Sequence, residues 1–319
     1  MRVPVLLACA LLLAGCSVIS LDLSPRLRPL EEQTVEGAGE AKILLMDISG
    51  FLTDESGPSL TLGSAPPRIP LLVRVREELL KAAEDPRVRA LVVRVNSPGG
   101  TVTAADIIFR EIDTFRRARG IPVVAVMLDV AASGGYYVAL AADTIVAHPT
   151  SVTGSIGVIM LTLNAEGLLQ KIGVSAAAIK SGERKDMGSP FRPLTPEERA
   201  IFQSVIDDLH RQFVEKVAER RRLPLEAAQR VADGRVYTAG QALRQGLVDR
   251  VGYMPDALEV ARRAIGVEEA RVVVYHRPRE YRATYYARAE PPAGGIDASL
   301  SQLAALLGPG PRFLYLWWP

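Results

Sequence analysis

VVAVMLDVAASGGYYVALAADTIVAHPTSVTGSIGVIM, residues 123–160, is the stretch on which the reading of this chain turns. It opens with an apolar run, Val123 to Leu128, that predicts a buried strand. The run breaks at Ala131-Ala132-Ser133-Gly134-Gly135, and a small-residue, aromatic-rich helix is expected from about Tyr136 to Ala142. Ser133 therefore stands between a strand that fixes its position and a helix start that offers unpaired N–H groups and a positive dipole end. Gly134 and Gly135 carry no side chain that would block a substrate backbone.

Working outward, Lys42–Ile48 and Ala90–Val95 read as further strands, and Asp143–Ala147 as a short one. The spacing of apolar residues predicts helices over Ile69–Ala83 and from Val102 to about Arg117. Strands alternating with helices imply an α/β fold with a parallel sheet and right-handed crossovers. Downstream, a short helix is expected near Leu168, a strand at Ala176–Lys180, and a polar loop at Ser181–Asp186. Thr195 and Glu198 form a capping box that starts a helix running to about Arg222. Its residues Ile201, Val205, Leu209, Phe213 and Val217 are expected in the core, and the charges at Arg220–Arg222 suit a helix C-terminus. A second capping box starts at Thr238, a helix is expected over Met254–Ile265, and a strand over Val272–Tyr275. From His276 the pattern breaks down. Residues 277–311 are rich in Pro, Gly and Arg apart from the apolar Leu300–Leu307, and the chain ends in the apolar Phe313–Trp318. A mobile tail, packing on a neighbouring subunit and contact with a membrane all remain open for this segment.

With 319 residues, 48% of them hydrophobic, the chain can bury a large core. A net charge of +2 gives no reason to expect nucleic-acid binding. The histidines His148, His210 and His276 are scattered, and Cys9 and Cys16 both precede the folded body, so no metal site, disulfide framework or cofactor is expected. The apolar Val3–Ala14 is too short to cross a bilayer and reads as an export signal. Its ending, Leu13-Ala14-Gly15-Cys16, resembles a bacterial lipobox, which implies lipidation of Cys16 and a lipid anchor in the membrane. Ser17 after the cysteine leans towards outer-membrane sorting in a Gram-negative cell. Residues 17–40 read as a Pro-, Glu- and Gly-rich tether.

Two glycine-rich turns at strand ends carry the chemistry. Ser97-Pro98-Gly99-Gly100 can aim a backbone N–H into a site, and the Gly134 N–H lies just after Ser133. Two such donors would hold the oxyanion of a tetrahedral intermediate, each worth roughly 3–4 kcal/mol. A serine nucleophile needs a base, and no histidine sits in a recognisable triad context. A lysine amine can serve if burial lowers its pKa from about 10.4 towards neutrality. Lysine is rare in this chain. Lys185, 52 residues after Ser133, and Lys180 are the candidates.

VNSPGG (95–100), ASGGYY (132–137), AAD (141–143), TGSIGV (153–158), IKSGERKDMGSP (179–190) and DGRVYTAGQALRQGLVD (233–249) together resemble the signal peptide peptidase SppA family. The likeness covers about Lys42 to Gly266. It implies a ClpP/crotonase-like superfold of repeated β-β-α units with C-terminal helices, assembled as a ring-like homo-oligomer. It implies a Ser–Lys dyad with Ser133 as nucleophile and Lys185, not Lys180, as base. Gly99, Gly100 and Gly134 would form the oxyanion hole, and Ser155 would hydrogen-bond the lysine amine. The function implied is an envelope serine endopeptidase, its body in the periplasm, that cleaves extended or remnant signal peptides bound as an added strand. Many members carry an N-terminal membrane helix where this chain has its lipobox-like end. The segments expected are thus a signal peptide at 1–16, the tether, a peptidase domain at 41–276 and a tail at 277–319. Two other functions are compatible with the superfold: crotonase-type acyl-CoA chemistry, which secretion argues against, and a non-catalytic lipoprotein scaffold.

Overall fold

Leu44, Met46 and Ile48 enter one hydrophobic cluster while Ile43 and Leu45 enter another, and all five are buried. Leu91, Val93 and Val95 alternate in the same way with Ala90 and Val92, as do Ala125 and Met127 with Val124 and Val126. Side chains of a strand point alternately to its two faces. These apolar runs are continuous because both faces of their sheet are covered.

The computed structural model describes residues 29–54, 69–277, 284–285 and 312–317. Its elements are β1 (Glu31–Glu36), β2 (Lys42–Ser49), α1 (Leu71–Glu84), β3 (Val88–Ser97), β4 (Gly99–Thr101) and α2 (Val102–Arg119). The middle of the chain supplies β5 (Val123–Ala132), α3 (Gly134–Ala139), β6 (Thr144–Ala147), β7 (Val152–Gly154), β8 (Ile159–Met160) and α4 (Glu166–Lys171). There follow α5 (Pro196–Arg221), α6 (Leu225–Val231), β9 (Val236–Thr238), α7 (Ala239–Arg244), β10 (Arg250–Val251), α8 (Met254–Ala264), β11 (Arg271–His276) and β12 (Phe313–Leu316). The main sheet has the order β1-β11-β2-β3-β5-β6-β10, parallel throughout except for β1, with β7 branching from β5 and β9 antiparallel to β7. Helices α1, α2, α3 and α5 bury residues in the cluster on one face, and α8 covers the other with Met254, Ala257, Leu258 and Ala261. This is the expected α/β fold with a parallel sheet and C-terminal helices. A small antiparallel sheet, β4-β12-β8, stands beside it.

Several expectations are corrected. Residues 31–36, read as tether, are the edge strand β1 paired antiparallel with β11. Edge pairing needs only backbone groups, so the polar EEQTVE has no apolar period to show. Lys42 secures it from below, donating to Glu32 and Asp85 at 2.7 Å each. Residues 176–180 form no strand and lie exposed, since no sheet edge reaches them. Phe213 and Val217 are buried as expected, but Val205 is exposed and Phe202 is the buried apolar residue of the first half of α5. The arginines at the end of α5 do more than answer its dipole. Arg220 donates to the carbonyls of Leu140, Ala141 and Ala142 after α3, and Arg221 binds Gly246 O and both oxygens of Asp249. They cap other elements' carbonyls and so lock α5 to the sheet. Phe313–Leu316 of the tail fold back onto this same chain as β12, between β4 and β8. The capping boxes at Thr195 and Thr238 are present as read. Cys16 and the export signal lie outside the described residues.

Candidate active site

Strand β5 runs through Ala132, farther than its apolar core suggests, because its last residues pair with β7. Ser133 follows with φ 52° and ψ −115°. Such backbone costs a residue with a Cβ about 1–3 kcal/mol. Two hydrogen bonds hold it there: the Ser133 N–H donates to Gly154 O at 2.7 Å, and the Tyr137 N–H donates to Ser133 O at 2.9 Å as α3 begins. The hydroxyl of Ser133 is fully buried and has no hydrogen-bond partner. A buried, unpaired hydroxyl costs about 1–3 kcal/mol, and Ser133 bears that cost.

The 97–100 turn packs beside it. The Ser97 hydroxyl donates to Gly50 O at 2.6 Å and accepts the Gly99 N–H at 3.0 Å. The Gly99 N–H is thereby taken by its own turn, so Gly99 is corrected as an oxyanion donor. What Gly99 supplies is room. At φ 107°, a methyl built on it would stand 2.9 Å from the Gly134 nitrogen and 1.9 Å from the carbonyl oxygen of Tyr315. Gly100 lies flat against the Leu52 backbone. Across the Leu316–Gly99 pair of the β12–β4 ladder, the Trp317 N–H donates to Pro98 O at 2.9 Å. Its counterpart in that register is the Gly100 N–H donating to Tyr315 O. A methyl on Gly134 would stand 3.1 Å from the same oxygen. One peptide carbonyl is thus seated on Gly99, Gly100 and Gly134. Gly135 plays another part than expected: a methyl there would meet Ser97 O at 2.5 Å, so it lets α3 approach the end of β3.

The Tyr315 ring enters an aromatic pocket. It stacks on Tyr137 with centroids 5.3 Å apart and packs on Phe213 at 4.6 Å, while Phe109 meets Tyr137 edge-on at 5.5 Å. The Tyr315 hydroxyl donates to Leu209 O at 3.0 Å, and the Tyr137 hydroxyl donates to Asp106 at 2.8 Å. Burial pushes both phenols well above their ordinary pKa, and for Tyr137 the Asp106 carboxylate adds to this, so both remain donors.

Ser155 is buried one residue beyond Gly154, the acceptor of the Ser133 N–H, and its own N–H is held by Arg235 O at 2.7 Å. The histidines are engaged elsewhere: His148 with Thr150, His210 with Ala232 O, and His276 with Arg277 O. Among the described residues no group of three or more His, Cys, Asp or Glu could hold a metal ion.

The lysines are not brought to the serine. Lys180 donates to Asp186 at 2.6 Å and to Glu183 O at 2.8 Å, which makes it a brace of the 180–186 loop. Lys185 is exposed at the surface of that loop. Arg192 clamps the loop to the start of α5. It donates to Asp186 through Nε at 3.1 Å and Nη2 at 2.9 Å, and to Glu198 through Nη1 at 3.0 Å. Hydrogen bonds from Arg192, then from Lys180, hold the Asp186 carboxyl well below the usual carboxylate range. Arg192 lowers Glu198 to about 2, helped by the Thr195 N–H. Ser133, Gly99, Gly100, Gly134 and Ser155 therefore meet within one chain, and Lys185 stands apart.

Sequence reasoning missed Ser97, Tyr137 and Tyr315 as parts of the site. A signal existed for Tyr315, since FLYL is a β-prone run of aromatic and aliphatic residues.

Residues 115–268 match the model of Peptidase family S49. The chain is 36% identical over 245 residues to a protein of Enterococcus faecium named "Putative signal peptide peptidase SppA", covering 77% of this chain and 70% of that one. It is 35% identical to "Serine protease SPPA, chloroplastic" of Arabidopsis thaliana over 72% of this chain and 33% of that longer one. Among solved structures it is similar to a ClpP1 mutant from Listeria monocytogenes, with 18% identity and a TM-score of 0.43, covering 67% of this chain and 94% of that chain.

Proposed function

The chain belongs to the signal peptide peptidase SppA family of serine peptidases, and from that membership we propose that it cleaves extended peptides with Ser133 as nucleophile and Lys185 as base. The observation that supports this reading is the buried, unpartnered hydroxyl of Ser133, next in the chain to Gly134, against which the Tyr315 carbonyl of β12 packs closely. A substrate strand lies where β12 lies, adding to β4 and β8 through backbone hydrogen bonds. The Ser133 Oγ attacks the carbonyl carbon, and its proton passes to the lysine amine. The oxygen gains negative charge, which the Gly100 and Gly134 N–H groups stabilise. The intermediate collapses, and the leaving amine takes the proton from the lysine. A water deprotonated by the same amine then hydrolyses the ester and frees Ser133.

An amine in open solvent holds its proton at neutral pH, so a base must be delivered into an apolar site. Lys185 lies in the 161–191 segment, which exposes Leu163, Leu168, Ile172, Ile179 and Phe191. Apolar residues gathered on one segment favour burial against a partner surface. A second copy of this chain is the partner we propose, and Lys185 crosses to the neighbour's Ser133 in the homo-oligomer. The Leu13–Cys16 motif supports export, lipidation at Cys16 and a place in the bacterial envelope, with remnant signal peptides among the substrates.

Ser133→Ala and Lys185→Ala are each expected to abolish cleavage of a fluorogenic peptide. Co-assembly of the two inactive variants should restore part of the activity, because some sites then pair an intact serine with an intact lysine. Wild-type turnover by either variant alone ends the dyad assignment. Inactive mixed assemblies end the crossing of Lys185 between copies.

A further inference from the structure

DGRVYT, residues 233–238, is among the motifs that carry the family resemblance, and the steps of cleavage leave it without a part. Its place in the fold is behind Ser133. Strand β9 pairs antiparallel with β7, Tyr237 opposite Thr153 and Val236 opposite Gly154. One residue further on, Arg235 O accepts the Ser155 N–H at 2.7 Å. Asp233 shapes that turn by accepting the Arg235 N–H at 3.2 Å and its Nε at 2.8 Å. On its other side β7 is parallel to β5, and the buried Thr153 hydroxyl donates to Ala131 O at 2.6 Å.

Two successive residues at the end of β7 are left-handed, Gly154 at φ 82° and Ser155 at φ 49°. Ser155 carries a Cβ, so this backbone is costly and its neighbours must hold it. The ring of Tyr237 lies over the face of Gly154 from which a side chain is missing. A methyl there would stand 2.5 Å from Cδ2 and 3.1 Å from Cε2. Tyr237 is buried, and its hydroxyl donates to Val231 O at 3.2 Å, at the end of α6. Burial raises its phenol above the ordinary pKa, so it stays a donor. The carbonyl of Gly154 in turn accepts the Ser133 N–H at 2.7 Å, and Ser133 itself stands at φ 52°.

We infer that Tyr237 is a positioning residue for cleavage: its ring, clamped between α6 and Gly154, keeps the 154–155 turn left-handed, and that turn aims the carbonyl that holds Ser133 in its strained pose. The inference rests on the peptidase reading above, in which Ser133 is the nucleophile. Tyr237 acts through Gly154 and not through the substrate strand, which lies along β4 and β8. Its loss therefore falls on kcat and leaves KM in place.

The test uses the full chain and three readouts: steady-state cleavage of a fluorogenic peptide, the rate of Ser133 labelling by a fluorophosphonate, and amide hydrogen exchange resolved at Ser133 and Ser155. Tyr237→Leu is expected to lower kcat and the labelling rate at least about tenfold, with KM changed less than about twofold, since misplacing a reacting group by about 1 Å costs up to about a hundredfold. The Ser133 and Ser155 amides should exchange at least about tenfold faster, while those of Val124–Val126 keep their protection. Tyr237→Phe keeps the ring and should stay within about threefold of wild type in each readout. Gly154→Ala should be impaired as well. Combined with Tyr237→Leu, it should retain at least about threefold more activity than the product of the two single effects, because the methyl and the ring claim one space. Melting curves show which variants fold, and Tyr237→Met, closer to the ring in volume, replaces Tyr237→Leu if that protein does not. Unchanged kcat and labelling in folded Tyr237→Leu overturn the inference, as does a loss in KM alone or an equal loss in Tyr237→Phe. A wild-type protein that neither cleaves nor labels sinks the nucleophile, and the exchange rates then still decide whether Tyr237 holds the turn.

Discussion

Tyr315→Ala in the full chain is the perturbation whose effect follows most directly from the geometry. The residue is buried against Tyr137 and Phe213 and donates to Leu209 O. Truncating a buried aromatic to alanine costs about 3–5 kcal/mol. Taking about 3 kcal/mol, the docking constant of β12 falls about a hundredfold, since about 1.4 kcal/mol is a factor of ten. While β12 is docked, an external peptide sees only the open fraction of sites, and its apparent KM is raised by the inverse of that fraction. If docking is favoured about ten- to a hundredfold in the native chain, the substitution opens roughly half to nine-tenths of the clefts and kcat/KM rises about ten- to fiftyfold. The rise should lie in KM, with kcat at saturation unchanged, because the serine and its donors are untouched. The assay is steady-state cleavage of a fluorogenic peptide, with circular dichroism and a melting curve to show that the variant is folded. Tyr315→Phe is the control: it keeps the ring, loses one hydrogen bond and should shift KM by less than about tenfold. An unchanged KM in folded Tyr315→Ala would refute the view that β12 and substrate share one cleft.

Other predictions follow from single distances and angles. Ser133→Gly should raise the melting temperature relative to Ser133→Ala, by about 1–3 kcal/mol of stability, because glycine adopts φ 52° without strain and both variants lack the buried hydroxyl. Gly99→Ala should abolish peptide cleavage and lower the melting temperature, since its methyl would stand 1.9 Å from the carbonyl of a strand lying as β12 does and φ 107° strains a residue with a Cβ. A fluorophosphonate probe, which needs no strand, should label Gly99→Ala better than the peptide assay suggests. Arg192→Gln should loosen the 180–192 loop and lower peptide cleavage, read against Arg192→Lys, which keeps the charge but not the forked geometry. Its effect on stability has a defined pH window. Asp186 and Glu198 titrate below their unfolded values, so the clamp's contribution is complete above about pH 4.5 and is lost as pH falls towards about 2. Wild type and Arg192→Gln should therefore differ most in melting temperature at pH 7, and the difference should begin to shrink once the pH falls below about 4.5.

The elements of the parallel sheet were legible because their causes are local. A strand buried on both faces must be apolar throughout, as Lys42–Ile48 and Ala90–Val95 are, and a helix start announces itself in a capping box such as Thr195–Glu198. The glycine turns beside Ser133 were legible for the same reason: no residue with a side chain fits where Gly99 and Gly135 meet neighbouring backbone. Their division of labour was not. That Ser97 captures the Gly99 N–H, that Gly100 faces a strand, and that Gly135 serves packing all depend on neighbours brought close in space. Strands β1 and β12 escaped notice because antiparallel addition is made by backbone groups that every residue carries, and their partners lie far away in the chain. The motif around Lys185 gave no place for that residue, since a loop fixed by Arg192 to α5 takes its position from the packing of that helix. Residue order alone specifies which groups can do the chemistry, because turn geometry and burial are written in short stretches. Which donor faces the carbonyl, and which ring fills the pocket, are decided by contacts between residues more than a hundred positions apart.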